Sequence, residues 1–114
     1  MNLNKIKLIE VTVIKNEFKR KTPGVVDTLR PPTYDSTIIE SKEDIEVSNI
    51  LRMRKDTRRF VEGVSDHLSQ PVKNKGEYTE KEITEIVLRE MYDGSSKVIQ
   101  VKESPETIKK MINS

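Results

Sequence analysis

The chain has 114 residues, of which 33% are hydrophobic and 35% are charged, and its formal net charge is +2. One domain is the expected limit at this length, because two domains would each have too small a core. The absence of Cys excludes a disulfide framework and thiolate metal sites, and no apolar run approaches the length of a membrane span. The composition therefore predicts a single domain, residues 1–114, that is cytoplasmic or part of a virion and has no cofactor, metal ion or membrane contact.

The charges form alternating blocks along the chain. Residues 1–30 and 51–75 each hold seven Lys and Arg against three acidic residues, whereas residues 35–50 hold one Lys against five acidic residues. Such blocks favour a protein that meets several partner surfaces over one with a single basic saddle for nucleic acid. Lys outnumbers Arg and Ala is absent, a bias typical of an AT-rich coding origin such as a low-GC bacterium or its phage.

The first predicted strand covers residues 5–15, where Ile9, Val11 and Val13 share one face. Hydrophobic periodicity is then lost over residues 16–40, which contain Pro23-Gly24 and Pro31-Pro32. Long aperiodic segments in small domains are usually functional or disordered. We therefore interpret residues 16–40 as a polar arm.

The middle of the chain is ambiguous. Residues 45–53 alternate as a strand would, although Ser41-x-x-Asp44 has the form of a capping box and could open a helix. Residues 57–69 favour a second helix, because their apolar side chains fall on one helical face and Pro71 follows: Phe60, Val61, Val64 and Leu68. Residues 70–82 are polar and aperiodic again, and we interpret them as a second arm.

A hairpin is predicted over residues 83–103, with strands at 83–92 and 97–103. Asp93-Gly94 is a preferred pair for a type I′ turn. A turn at that position pairs Ile86 with Val101 and Leu88 with Ile99, and it places Glu90 opposite Lys97 and Glu85 opposite Lys102. A longer loop through Ser95 and Ser96 is the alternative.

The chain closes with a predicted helix over residues 105–113. Ser104 is a good N-cap, Pro105 suits the first helical position, and Glu106 favours the helix dipole. A helix of two to three turns is too short to be stable alone in water. We therefore expect its apolar stripe, which includes Ile108 and Ile112, to pack on the sheet. The predicted fold class is α+β: a small antiparallel sheet with a C-terminal helix packed on it, two long polar arms and a possible helix at 57–69.

Several segments match a known pattern in order: residues 8–12, then 45–50, then 86–88 with Asp93-Gly94, then 98–104, and finally Ile108 and Ile112. This order resembles that of the small FlbD-like proteins, which occur in flagellar operons and as short proteins of bacteria and phages. The resemblance covers about half of the chain. It implies a small antiparallel sheet with a C-terminal helix, and it supplies no catalytic residue.

Two charged clusters are the candidate partner-binding residues. The basic cluster is Arg52, Arg54, Lys55, Arg58 and Arg59, and the acidic cluster is Glu40, Glu43, Asp44 and Glu46. The acidic cluster lacks the glycine-centred spacing of a calcium loop. His67 has no nucleophile or second His near it in sequence, so we assign no catalytic residue.

Three functional hypotheses follow from these clusters. The first is a non-enzymatic structural or assembly protein of a phage virion or mobile element, with arms that bind protein subunits, including copies of itself. The second is a small phage inhibitor or regulator that binds a host protein through residues 40–46. The third is a nucleic-acid-binding protein that uses Arg52–Arg59 for phosphate contacts, with Phe60 as a stacking ring.

Overall fold

A computed structural model describes residues 6–21, 32–89 and 93–114. Five strands and one helix follow in chain order: β1 (Leu8–Arg20), β2 (Thr33–Glu46), β3 (Ile50–Asp66), β4 (Pro71–Arg89), β5 (Ser96–Val101) and α1 (Pro105–Asn113). The hydrogen-bonded strand order is β1-β2-β3-β4-β5 and closes from β5 back to β1. A small antiparallel sheet with one C-terminal helix was predicted, and it is confirmed.

The chain forms two compact units. Unit 1 comprises Met1–Ile14, Glu40–Thr57 and Glu82–Ser114, and unit 2 comprises Lys15–Ile39 and Arg58–Lys81. Strands β1 to β4 each contribute residues to both units.

Unit 1 contains the main hydrophobic core, to which every strand of the sheet and α1 contribute. β1 and β5 meet here in antiparallel orientation, with Val13 opposite Val101. The three residues that the sequence placed on one face of the first strand, Ile9, Val11 and Val13, are all buried. The core residues are Ile9, Val11, Val13, Ile45, Ile86, Ile99, Val101 and Ile108.

The C-terminal helix has the predicted bounds and cap. The Ser104 hydroxyl accepts a hydrogen bond from the Thr107 N–H at 3.1 Å, and the Ile108 side chain is fully buried in the unit 1 core. At the other end, the Lys7 ammonium donates to the carbonyl oxygens of Ile112 and Ser114. A cation there stabilises the negative end of the helix dipole.

The predicted hairpin exists, but its register is wrong by two residues. Ile86 lies opposite Ile99 and Leu88 opposite Lys97, whereas the sequence placed Val101 opposite Ile86. Asp93 does not have the positive φ that a type I′ turn needs; its carboxylate instead accepts from the N–H and hydroxyl of Ser95. The longer-loop alternative is wrong for Ser96, which is the first residue of β5 and lies opposite Arg89. A shift of two residues keeps every side chain on its face, and Glu90 lies outside the described residues.

The prediction of one strand over residues 45–53 is wrong in its bounds. β2 ends at Glu46, a 3₁₀ turn covers Val47–Asn49, and β3 starts at Ile50. The capping-box helix at Ser41 does not form, because residues 33–46 are extended throughout.

The predicted helix at 57–69 is also wrong, because Ile50–Asp66 is one strand. Its C-terminal part pairs with β2, from Thr33 opposite Asp66 to Ser36 opposite Gly63. The aromatic and β-branched side chains that suggested a helical face also favour strands. Gly63 adopts φ +88°, a conformation that breaks any helix and is suited to a bulge.

The two predicted arms are largely strand. Within 16–40, β1 continues to Arg20 and β2 begins at Thr33, and of the second arm residues 71–82 belong to β4; residues 22–31 lie outside the described ranges. Backbone pairing stabilises these segments without hydrophobic alternation, so periodicity did not reveal them. In unit 2, the hydroxyls of Ser36 and Ser65 form a buried hydrogen bond of 2.6 Å.

Two further contacts hold unit 2 together. The Asn16 amide donates to the carbonyls of Thr37 (3.1 Å) and Val61 (2.9 Å), and its oxygen accepts from the Val61 N–H at 2.7 Å. Strands β3 and β4 approach closely at two glycines: a Cβ at Gly63 would collide with the Lys75 carbonyl oxygen, and one at Gly76 with that of Val64.

Candidate functional site

The acidic cluster lies in unit 1, at the C-terminal part of β2. Glu40 forms an ion pair of 3.1 Å with Lys102, and Glu46 accepts hydrogen bonds from Ser48 and Asn49. Glu43 and Asp44 are exposed and have no ion-pair or hydrogen-bond partner in the described part of the chain. These two carboxylates are therefore available to a partner.

Glu43 and Asp44 line an open cavity of about 240 Å³ in unit 1. Its apolar lining comes from the nearly buried Ile45 and Ile99 and from the half-buried Leu88. The polar lining residues are Glu43, Asp44, Glu46, Asn49, Arg89 and Lys97. Three carboxylates against two cations give this rim a net negative charge, so the rim attracts a positively charged group of a partner.

The basic cluster is divided between the units: Arg52, Arg54 and Lys55 belong to unit 1, and Arg58 and Arg59 to unit 2. In unit 1, acidic groups lie close to two of the cations. Arg54 is 3.8 Å from Asp56 and 3.5 Å from Glu85, and Lys55 is 3.8 Å from Glu82. Arg52 is exposed and has no such partner among the described residues.

The two arginines of unit 2 contact aromatic rings. The Arg58 guanidinium lies 5.3 Å from the centre of the Phe60 ring, and that of Arg59 lies 5.2 Å from the centre of the Tyr78 ring. Arg59 is also 3.7 Å from the Glu80 carboxylate. Acidic residues of β4 therefore partner cations of β3 in both units. Sequence reasoning missed this pairing because it treated residues 70–82 as an arm.

Residues 66–70 form the turn between β3 and β4, and the sequence predicted the first four of them to be helical. The Asp66 carboxylate accepts hydrogen bonds from the N–H groups of Leu68 (2.8 Å) and Gln70 (3.0 Å). The backbone of Asp66 also bonds to Gln70 O (2.9 Å) and Ser69 N (3.1 Å). The hydrogen bond from the Gln70 N–H is the main cause that lowers the pKa of Asp66; desolvation opposes it, the Leu68 N–H adds to it, and the net pKa lies below its ordinary value.

Leu68 projects from this turn and is 65% exposed. The helical prediction placed it on a core-facing stripe with Phe60, Val61 and Val64, and that placement is wrong. His67, the adjacent residue, is exposed as well. A strand-turn-strand interpretation would have put Leu68 at a tip, since Asp66 to Gln70 contains the Asp and Ser that turns favour.

Unit 2 exposes other large apolar side chains besides Leu68: Phe18, Ile39 and Tyr78. Unit 2 as a whole is also basic, with ten Lys and Arg against seven Asp and Glu, whereas unit 1 has eleven against twelve. Unit 2 therefore combines apolar and positive surface.

Within residues 6–21, 32–89 and 93–114, no group of three or more His, Asp or Glu is arranged to hold a metal ion. No helix in those ranges has the length and apolarity to cross a membrane. In comparisons with known proteins, no family model, no curated protein and no solved structure matches the chain.

Proposed function

We propose that this chain is a non-enzymatic assembly protein that binds neighbouring protein subunits through unit 2. The carrying observation is the distribution of apolar side chains. Among the described residues, unit 2 buries only Phe60 and Val61 in the apolar class, whereas unit 1 buries ten apolar residues. Apolar surface that stays outside a core is a common feature of protein interfaces.

The segments that carry this surface are those the sequence identified as polar arms. Here β2 and β4 are each supported by pairing with β3, and polar contacts such as those of Asn16 and the Ser36–Ser65 pair add to this support. Few apolar side chains of unit 2 are buried, and a partner that covers Phe18, Ile39 and Tyr78 would bury more of them. The composition favours a phage virion or mobile element as the setting of this assembly.

The test is cross-linking in living cells of the native host, followed by mass spectrometry of tagged chain. Phe18→Ser with Tyr78→Ser alters the exposed apolar surface of unit 2. Leu8→Ser with Leu51→Ser is the matched control, since those side chains are similarly exposed in unit 1. We expect defined cross-links to one or a few proteins that the unit 2 variant loses and the control keeps. Equal cross-linking of all three proteins, or none in the wild type, would contradict the proposal.

Nucleic-acid binding through Arg52–Arg59 has weaker support. Arg54, Lys55 and Arg59 lie near acidic groups of β3 and β4, which oppose a phosphate backbone as ligand. Retention on single-stranded oligonucleotide at low salt, lost on changing Arg52, Arg54, Arg58 and Arg59 to Ser, would favour this function over protein assembly.

A further inference from the structure

Leu68 is exposed on a turn whose structure does not need its side chain. The hydrogen bonds of residues 66–70 use the Asp66 carboxylate and backbone groups, and from Leu68 only its N–H. The turn therefore fixes the backbone that carries the leucine. A side chain on a backbone that is ordered before binding enters a pocket without the entropy cost of ordering that backbone.

Positive charge lies at the same end of unit 2. Thr33 is opposite Asp66 in the β2–β3 ladder, and the Lys21 N–H donates to the Thr33 carbonyl at 3.0 Å. The end of β1 therefore lies beside the turn. Arg20 and Lys21 are exposed and have no ion-pair partner in the described part of the chain. This end of unit 2 presents the exposed side chain of Leu68 beside two exposed cations, which have no ion-pair partner within residues 6–21, 32–89 and 93–114.

The unit 1 cavity has the complementary chemistry. Leu88, with the small exposed parts of Ile45 and Ile99, provides an apolar part of the lining. The volume of about 240 Å³ exceeds that of a leucine side chain, and Glu43 and Asp44 on the rim have no partner among the described residues. Arg89 and Lys97 also line the cavity and repel an entering cation. The electrostatic attraction on such a cation is therefore strongest on the side of Glu43 and Asp44.

We propose that Leu68 of one copy of this chain inserts into the unit 1 cavity of a second copy, with Arg20 and Lys21 beside Glu43 and Asp44. This inference rests on the proposed assembly function and names the neighbouring subunit as the chain itself. The two surfaces differ, so the contact is heterologous and each copy can bind one neighbour at each site. Repetition of such a contact gives a ring or an open chain.

The test is sedimentation velocity of the purified full chain over a range of concentrations. We expect wild-type oligomers that grow with concentration and weaken with salt, because exposed charge pairs are screened. Leu68→Ser and the double variant Glu43→Lys/Asp44→Lys should each weaken self-association at least about tenfold. Leu51→Ser is the matched control, an exposed leucine of unit 1 outside the cavity, and should associate as the wild type does.

Mixing the two variants gives the sharpest readout. Leu68→Ser keeps an intact cavity, and Glu43→Lys/Asp44→Lys keeps an intact Leu68, so the mixture can make one productive contact and no more. At a concentration at which neither variant associates alone, we expect the mixture to form a one-to-one heterodimer. Both substitutions are at exposed positions, and circular dichroism of each variant checks that it is folded.

Two outcomes would overturn the inference: a wild type that stays monomeric up to about 1 mM, or a Leu68→Ser variant that associates as the wild type does. The cross-linking experiment separates this failure from failure of the proposed function. Cross-links to a different protein, with a monomeric purified chain, would leave the assembly function in place and reject the second copy as the partner.

Discussion

The side-chain amide of Asn16 joins β2 and β3 close to the Ser36–Gly63 pair of their ladder. It satisfies the N–H and carbonyl of Val61 together, and it also donates to the Thr37 carbonyl. No other side chain type has a donor and an acceptor in this geometry at this length. Asn16 therefore substitutes for a backbone pair.

Asn16→Ala should destabilise the protein by about 2–3 kcal/mol, because it leaves part-buried backbone groups of Val61 without partners. Urea unfolding measures the change. Asn113→Ala, at an exposed position of α1, is the control and should change stability by less than about 0.5 kcal/mol. Equal effects of the two substitutions would show that water satisfies Val61 in the absence of the amide.

Gly76 and Gly94 illustrate two different reasons for a glycine, a close approach of backbones and a positive φ. A Cβ at Gly76 would meet the backbone carbonyl of Val64, whereas one at Gly94 would meet no atom within 4 Å. Gly94→Ala carries only the cost of its φ of +73°, about 1 kcal/mol. Gly76→Ala must move a strand and should cost more, about 2–3 kcal/mol. Thermal melts of the two variants give the comparison, and a Gly76→Ala protein as stable as the Gly94→Ala protein would refute the close approach of β3 and β4.

Glu103 makes stability depend on pH. Burial alone raises the pKa of its carboxyl, but hydrogen bonds from the N–H (2.7 Å) and hydroxyl (2.8 Å) of Thr12 outweigh it, and the net pKa is lowered. A carboxyl whose pKa is lower when folded adds stability above its unfolded pKa, and that stability is lost as pH falls through the folded pKa.

Wild type should therefore exceed Glu103→Gln in unfolding free energy at about pH 7, and the difference should shrink towards about pH 3. Urea unfolding of both proteins across this range measures it. A difference that stays constant with pH would mean that the carboxylate charge at Glu103 contributes nothing.

At the scale of elements, α1 illustrates how a short helix depends on docking. Ile108 is its one fully buried side chain, within the unit 1 core. Ile108→Asp should cost about 2–4 kcal/mol, because it buries a carboxylate or undocks the helix. Lys109→Asp, which places the same residue on the exposed face, is the control. Equal stability of the two variants, measured by denaturant unfolding, would show that α1 does not stabilise unit 1.

The elements that sequence predicted correctly are those with local signals. Ser104, Pro105 and Glu106 define the start of α1 within three residues, and the residues of β1 that alternate are the ones that reach the core. The hairpin faces were also predictable. Its register was not, because the Asp93 carboxylate closes a loop with Ser95 that an Asp-Gly pair alone does not reveal.

The elements missed depend on partners distant in sequence. Residues 70–82 are too polar and aperiodic to predict a strand, yet residues 71–82 are part of β4, because β3 supplies hydrogen bonds and matching charges such as Arg59 for Glu80. The sequence likewise named Glu43, Asp44 and the arginines of the candidate surfaces, but it could not show which of them are paired. Leu68 was missed because it was assigned to a helix.

At the scale of the molecule, the two units should differ in local stability. Unit 1 holds the hydrophobic core, whereas unit 2 buries few apolar side chains among its described residues. Native-state amide exchange on the dilute protein should show slower exchange in β5 and the unit 1 part of β4 than in residues 71–81. Equal protection in both would mean that polar contacts alone stabilise unit 2 as well as a core does.

The turn at residues 66–70 separates the requirements of folding from those of recognition. Its shape depends on Asp66 and on a backbone that allows φ of +61° at Ser69. Positions 67 and 68 supply only backbone to that shape, so their side chains can change without altering it. Single substitutions at His67 and Leu68 can therefore change the preferred partner during evolution. As long as Asp66 is kept, each substituted protein can still form the turn and fold.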